Sequence, residues 1–155
     1  MSATVLLLHG PNLNLLGERE PAVYGSATLD EYVDVVVKAA GERGLDVEAR
    51  QSNYEGELLD AIAGARVRCA AIIFNPGAFT HYAWALHDAL AAFDGVIIEV
   101  HISNPNAREP WRHTSVVAPA ADGSIMGLGM LGYELAVIAV AELLAARHGG
   151  DVPQQ

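Results

Sequence analysis

Residues 69–77 read CAAIIFNPG, a short unbroken apolar run that stops at Asn75-Pro76-Gly77, and the same design occurs twice more. Thr4 to His9 (TVLLLH) runs into Gly10-Pro11-Asn12, and Val96 to Val100 (VIIEV) follows the turn pair Asp94-Gly95. Short apolar runs rich in β-branched residues and bounded by turn formers predict strands buried on both faces, as in a parallel sheet covered by helices. The segments between them supply the helices. Thr28-Leu29-Asp30-Glu31 is a capping box, and the helix it opens runs to about Arg43, where Gly44 stops it. Asp46 to Asn53 alternates as a strand, and Gly56 to about Arg68 reads as a second helix. Thr80 is a candidate N-cap for a helix to about Ala92, Ser115 to Ala118 reads as a short strand, and the last helix spans about Leu131 to Arg147. Residues 148–155 are expected to fray. Strands alternating with helices, without repeats or linkers, predict one domain over 1–155. The fold class is α/β: a flavodoxin-like, doubly wound, five-stranded parallel sheet in three layers, α/β/α.

Composition bounds the function. The chain has 155 residues, of which 52% are hydrophobic and 18% charged, enough apolar surface for a single core and too much for a disordered chain. Its one cysteine, Cys69, forms no internal disulfide and points to a reducing compartment. The start MSATVLLLHGPN has no basic n-region, and the most apolar stretch, Leu135 to Ala146, is broken by Glu142. A soluble cytoplasmic protein with no membrane span is therefore expected. Nine basic against nineteen acidic residues give a net charge of −10 with no basic cluster. That balance excludes nucleic acid as a partner, and an anionic ligand must be captured by a few locally placed cations.

Sheets of this kind bind ligands at the carboxyl ends of their strands, which directs attention to the loops after His9, Phe74 and Val100. The first loop carries Asn12, Asn14, Arg19 and Tyr24, punctuated by Gly17, Pro21 and Gly25, and its length points to a lid. A phenol is a poor base at neutral pH unless a cation such as the Arg19 guanidinium favours the phenolate. The second loop holds Asn75, Thr80 and His81, and His81, Trp84 and Asp88 are spaced to share one helix face. In the third, Glu99 and His101 point to the same side of a strand, where a carboxylate orients an imidazole for proton donation. Arg112 beyond it is a candidate bidentate clamp on a carboxylate. Residue types alone leave the plain alternatives open: turn-forming asparagines, a solvated His–Asp face and a structural His–Glu pair. The six histidines show no paired ligand spacing, so no metal is predicted. The G-x-G-x-x-G of Gly127, Gly129 and Gly132 opens the last helix instead of following the first strand, and reads as close packing rather than a nicotinamide site.

The runs LLLHGPNLNLLGEREPAVYG, QSNYEGELLDAI, IIFNPGAFTHYAWALHDAL, EVHISNPNAREPWRHTS and GSIMGLGMLGYELA, in this order from about Thr4 to Leu144, resemble the type II 3-dehydroquinate dehydratases. The resemblance implies a cofactor-free anti elimination of water from 3-dehydroquinate, giving 3-dehydroshikimate through an enolate, in aromatic amino-acid biosynthesis or in quinate catabolism. By position, Tyr24 matches the tyrosine that removes the C2 proton, and Arg19 the arginine that favours its phenolate. His101 matches the acid that protonates the departing C1 hydroxyl, Glu99 its orienting carboxylate, and Asn12 the residue that holds a water at the enolate oxygen. Asn75, His81, Ile102, Ser103 and Arg112 match substrate contacts. Asp88 matches an aspartate that reaches a neighbouring subunit's site, and the family assembles as dodecamers built from trimers. Against the family pattern, Tyr54 stands where histidine is common, Tyr82-Ala83-Trp84 replaces smaller polar residues, His87 stands where arginine is frequent, and Trp111 replaces phenylalanine.

Other readings fail at particular positions. An electron carrier would need a hydroxyl-rich phosphate loop where GPNLNLLG stands, and a receiver module would need an aspartate where Asn75 stands. A non-catalytic binding module would be expected to lack Tyr24, Arg19 or His101, and all three are present. A lysine Schiff base would have only Lys38 to use, in the middle of a predicted helix and remote from the loops.

Overall fold

A computed structural model describes residues 2–149. Its sheet has five strands, β1 (Ala3–His9), β2 (Leu45–Gln51), β3 (Ala71–Asn75), β4 (Val96–His101) and β5 (Gly123–Met126), in the order β2-β1-β3-β4-β5. Every neighbouring pair is parallel. The flavodoxin-like winding expected from the sequence is therefore present.

Side-chain alternation divides the core into two layers. Val5, Leu7 and Ile73 face one side, where helices α2 (Leu29–Gly41) and α5 (Gly129–Gly149) cover them with Val36, Tyr133, Val137 and Val140. Leu6, Leu8, Ile72 and Phe74 face the other side, against Leu58 and Ile62 of α3 (Glu55–Arg68) and Leu86 and Leu90 of α4 (Trp84–Ala91). The capping box at α2 is complete: Thr28 Oγ1 accepts from Glu31 N–H, and the Glu31 carboxylate accepts from Thr28 N–H at 2.7 Å. In the G-x-G-x-x-G stretch, Gly127 has φ +82° and a Cβ there would stand 2.9 Å from Asn104 Cβ, whereas a Cβ at Gly132 would meet Ile125 at an ordinary 3.4 Å. The close approach is therefore in the turn before α5, not in the packing of the last helix read from the sequence. Helix α5 is long and apolar enough to cross a membrane by length and composition, but its Gly132, Tyr133, Ala136, Val137 and Val140 are buried in the protein core.

Four expectations need correction. Ser115 to Ala118 is not a strand; Val116 and Val117 are buried, Val116 N–H donates to the Thr80 carbonyl at 2.7 Å, and Pro119 turns the chain into a short 3-10 helix. The fifth strand is Gly123–Met126, whose glycine and short length hide it in the sequence. Thr80 caps no helix: it sits in a 3-10 turn, Gly77–His81, and spends its hydroxyl on Glu99, so α4 begins only at Trp84 and His81 precedes it. At the far end, His148 and Gly149 remain helical, with His148 Nδ1 bonded to the Leu144 carbonyl at 2.8 Å. The rest of the expected frayed tail, residues 150–155, lies outside the described residues.

Between β1 and β3 the connections leave toward opposite faces, and the crevice opens there. Gly10 makes that crevice possible. A Cβ on it would stand 2.2 Å from the Pro76 carbonyl oxygen, so only glycine lets the two loops cross so closely.

Candidate active site

A cavity of about 180 Å³ lies over the carboxyl ends of β1, β3 and β4. Its walls bring together Asn12, Arg19, Tyr24, Asn75, His81, His101, Ile102, Ser103 and Arg112, nine of the residues singled out above. Of the other two, Glu99 stands behind His101, while Asp88 is exposed on α4 and outside the cavity of its own chain.

The first loop, expected to be a lid, lines one wall of the cavity with Asn12, Leu13, Leu16, Arg19 and Tyr24. Pro21–Tyr24 forms a single helical turn, α1, with Pro21 preset for its first position. Gly17 and Gly25 on either side have φ of +91° and +75°, values that favour glycine. Two guanidinium groups come to the Tyr24 ring, with the Arg19 and Arg108 Cζ atoms 5.4 and 5.5 Å from its centroid. Arg108 also donates from NH1 to the Tyr24 hydroxyl at 2.9 Å and to Ser103 Oγ at 3.2 Å. A charged donor held on the phenol oxygen is a stronger contact than a cation near the ring. Arg108 is one residue that the sequence reading missed. The available signal was charge scarcity: in a chain of net charge −10, Arg108 and Arg112 stand four apart in one polar loop.

The second pair is built at the end of β4. Glu99 is fully buried, and its Oε1 accepts from His101 Nε2 at 2.8 Å, from Thr80 Oγ1 at 2.5 Å and from Ser115 Oγ at 2.8 Å. Oε2 takes a further bond from Ser124 at 3.1 Å. Burial alone would raise the carboxyl's pKa, but the hydrogen bond and charge of His101, with the two hydroxyls on Oε1, outweigh it and hold Glu99 below the usual carboxylate range. An ionised Glu99 fixes Nε2 of His101 as N–H and leaves Nδ1 as the ring nitrogen available to a ligand. Thr80 and Ser115, read from sequence as a cap and a strand residue, thus belong to the machinery that aims His101.

His81 donates from Nδ1 to the Thr114 carbonyl at 2.7 Å, and burial lowers its pKa despite that carbonyl. It therefore stands neutral with Nε2 as an acceptor. Arg112 is stacked 3.9 Å from the Trp111 ring centroid, and its Nε is taken by Glu109 at 2.6 Å. Its terminal nitrogens are the part left to clamp an anion.

Residues 3–141 match the family described as Dehydroquinase class II. The chain belongs to that family. It is 53% identical over 146 residues to 3-dehydroquinate dehydratase 2 of Pseudomonas aeruginosa, a match covering 94% of this chain and 99% of that protein. It is 50% identical over 139 residues to the 3-dehydroquinate dehydratase of Halalkalibacterium halodurans, covering 90% and 96% of the two chains. The crystal structure of type II dehydroquinase from Propionibacterium acnes superposes with a TM-score of 0.88 at 44% identity, over 92% of this chain and 98% of that one. The class II dehydroquinase family thus accounts for the sheet, and the lid and β4 pairs give its sequence motifs a physical meaning here. Of the aromatic departures, only Trp111 lines the cavity, 55% exposed, while Tyr82, Trp84 and Tyr54 are exposed outside it.

Proposed function

We infer that this chain is a hydro-lyase that removes water from 3-dehydroquinate to give 3-dehydroshikimate, acting as a single catalytic domain over 1–155 and without a cofactor. The observation that carries the reading is that one cavity holds both an arginine-bound phenol from the lid and a carboxylate-oriented imidazole from the end of β4. An elimination across one ring needs such a pair, a base at one carbon and an acid at the next.

In this mechanism Tyr24, as phenolate between Arg19 and Arg108, takes the C2 proton, and the electron pair moves into the adjoining carbonyl to form an enolate. Asn12 holds a water against the enolate oxygen. The enolate then reforms the carbonyl and expels the C1 hydroxyl, which takes a proton from His101 and leaves as water. Tyr24 ends protonated and Glu99-paired His101 ends neutral, so one proton passes from phenol to imidazole, through solvent, to reset the site. Asn75, His81, Ser103, the Ile102 backbone and Arg112 hold the substrate's hydroxyls and carboxylate. In a chain of net charge −10, these arginines are the local cations that an anionic substrate requires.

The assembly we propose is a homododecamer, a tetramer of trimers, in which Asp88 reaches a neighbouring subunit's cavity. The exposed position of Asp88, beside exposed Tyr82 and Trp84, supports this reading. The setting is the cytoplasm, and the pathway is aromatic amino-acid biosynthesis. The test is growth of the enone's ultraviolet absorbance when protein and 3-dehydroquinate are mixed, with Tyr24→Phe and borohydride-treated samples alongside. Turnover that survives borohydride and collapses in the variant is expected. A folded wild-type protein without turnover overturns the reading.

A further inference from the structure

Asn75 lines the cavity although it is only 3% exposed, and its amide is held at both ends. Oδ1 accepts from Gly77 N–H at 3.1 Å, and Nδ2 donates to the Tyr133 hydroxyl at 3.0 Å. A backbone N–H only donates, so the oxygen must face Gly77 and the amide has one allowed orientation. One hydrogen of Nδ2 is then left as the free donor.

Tyr133 reaches this point from α5, packed on the sheet from a helix that contributes no residue to the cavity wall. It is fully buried; its ring meets Tyr32 edge-on at 4.9 Å and lies nearly parallel to the ring of His9 at 5.7 Å. His9 ends β1 in register with Asn75 at the end of β3, so the two side chains rise from neighbouring strands to the same phenol. Burial keeps both rings neutral: the phenol is pushed up, opposed by its Asn75 bond, and the imidazole is pushed down to about 4. None of this is needed merely to fill the core, because Phe would fill the same volume.

We propose that Tyr133, backed by His9, is a positioning residue that fixes the Asn75 amide so that its free N–H is aimed at the substrate. The proposal rests on the dehydratase reading and extends it to a residue on the far side of the sheet. Without the hydroxyl, the Asn75 amide keeps only its Gly77 bond and swings about it. The donor is then misaimed for ground and transition states alike, which raises KM more than it lowers kcat.

The test is a kinetic double-mutant cycle on the intact protein with 3-dehydroquinate, using wild type, Tyr133→Phe, Asn75→Ala and the double variant. Tyr133→Phe is expected to raise KM roughly tenfold, one hydrogen bond's worth, with kcat changed less than about threefold. In the Asn75→Ala background the same change is expected to cost nothing further in kcat/KM, while its effect on the unfolding midpoint persists. His9→Leu, which removes the flat wall behind the phenol but leaves the hydroxyl, is expected to show the same KM-weighted loss. It decides the matter by the same cycle if Tyr133→Phe does not fold. Equal losses with and without Asn75, or no loss in either background, overturn the proposal. Absence of turnover by wild-type protein overturns the dehydratase reading instead, and the cycle is then read on calorimetric binding of 3-dehydroquinate.

Discussion

His9 makes a quantitative prediction about acid stability. It is 1% exposed, and among the described residues neither ring nitrogen has a hydrogen-bond partner, so a second proton would place a charge in the core. Burial accordingly lowers its pKa from 6.5 to about 4 and outweighs the Arg50 backbone, which opposes it. Above 6.5 the ring is neutral in both folded and unfolded chains, and the folded state has its full stability. As pH falls below 6.5 the unfolded chain takes up a proton that the folded one refuses, so stability declines. Below about 4 the folded state is protonated too and the decline from this residue ends. A tenfold loss of proton affinity is worth about 1.4 kcal/mol, so the whole window amounts to about 3 kcal/mol. For a chain of this size that is roughly 6–12 °C in melting temperature. The assay is guanidinium unfolding of wild type and His9→Phe at half-unit steps from pH 7.5 to 4. Phenylalanine keeps the stack on Tyr133 and cannot titrate. The difference in stability between the two proteins should change by about 3 kcal/mol across the window, in favour of the variant at low pH. Parallel curves would refute the account and mean that His9 finds a proton acceptor when the pH drops.

Tyr24→Phe is expected to lower kcat by about 10²–10⁴-fold, the range for losing a positioned general base, with the unfolding midpoint unchanged because the lid is half exposed. Arg108→Ala removes the donor on the Tyr24 oxygen and should lower kcat by about 10- to 100-fold, the worth of one charge-assisted bond, read by steady-state kinetics. Glu99, whose pKa is lowered in the folded state, contributes stability that is complete above the ordinary carboxylate range and is lost as pH falls through its lowered value. Glu99→Gln should therefore lose less stability than wild type on acidification below about pH 4, in the same unfolding assay. Gly10→Ala drives a methyl group into the Pro76 carbonyl, and a loss of about 1–3 kcal/mol is expected from the unfolding midpoint.

How far the sequence carried depended on whether a residue's role was local. Strands Ala3–His9 and Val96–His101 are legible because burial on both faces leaves an unbroken apolar run, and α2 because its cap lies within four residues of chain. Gly123–Met126 is an edge strand of four residues with intermediate or exposed side chains, so it has no such run, and the buried Val116-Val117 beside it imitates one. The site divides in the same way. Glu99 and His101 are two apart, and the strand period alone places them together. Thr80 and Ser115 meet Glu99 across 19 and 16 residues, Arg108 meets Tyr24 across 84, and Tyr133 meets Asn75 across 58. Read along the chain, each of those four has a local structural task or none, because a hydroxyl or guanidinium carries no mark of its distant partner. The His101 site shows why this matters for function: the imidazole is visible as a candidate acid, but the carboxylate that aims it is held ionised in the core by His101 itself together with two hydroxyls from other elements. Changes at Thr80 or Ser115 should therefore register at His101, although neither residue lines the cavity.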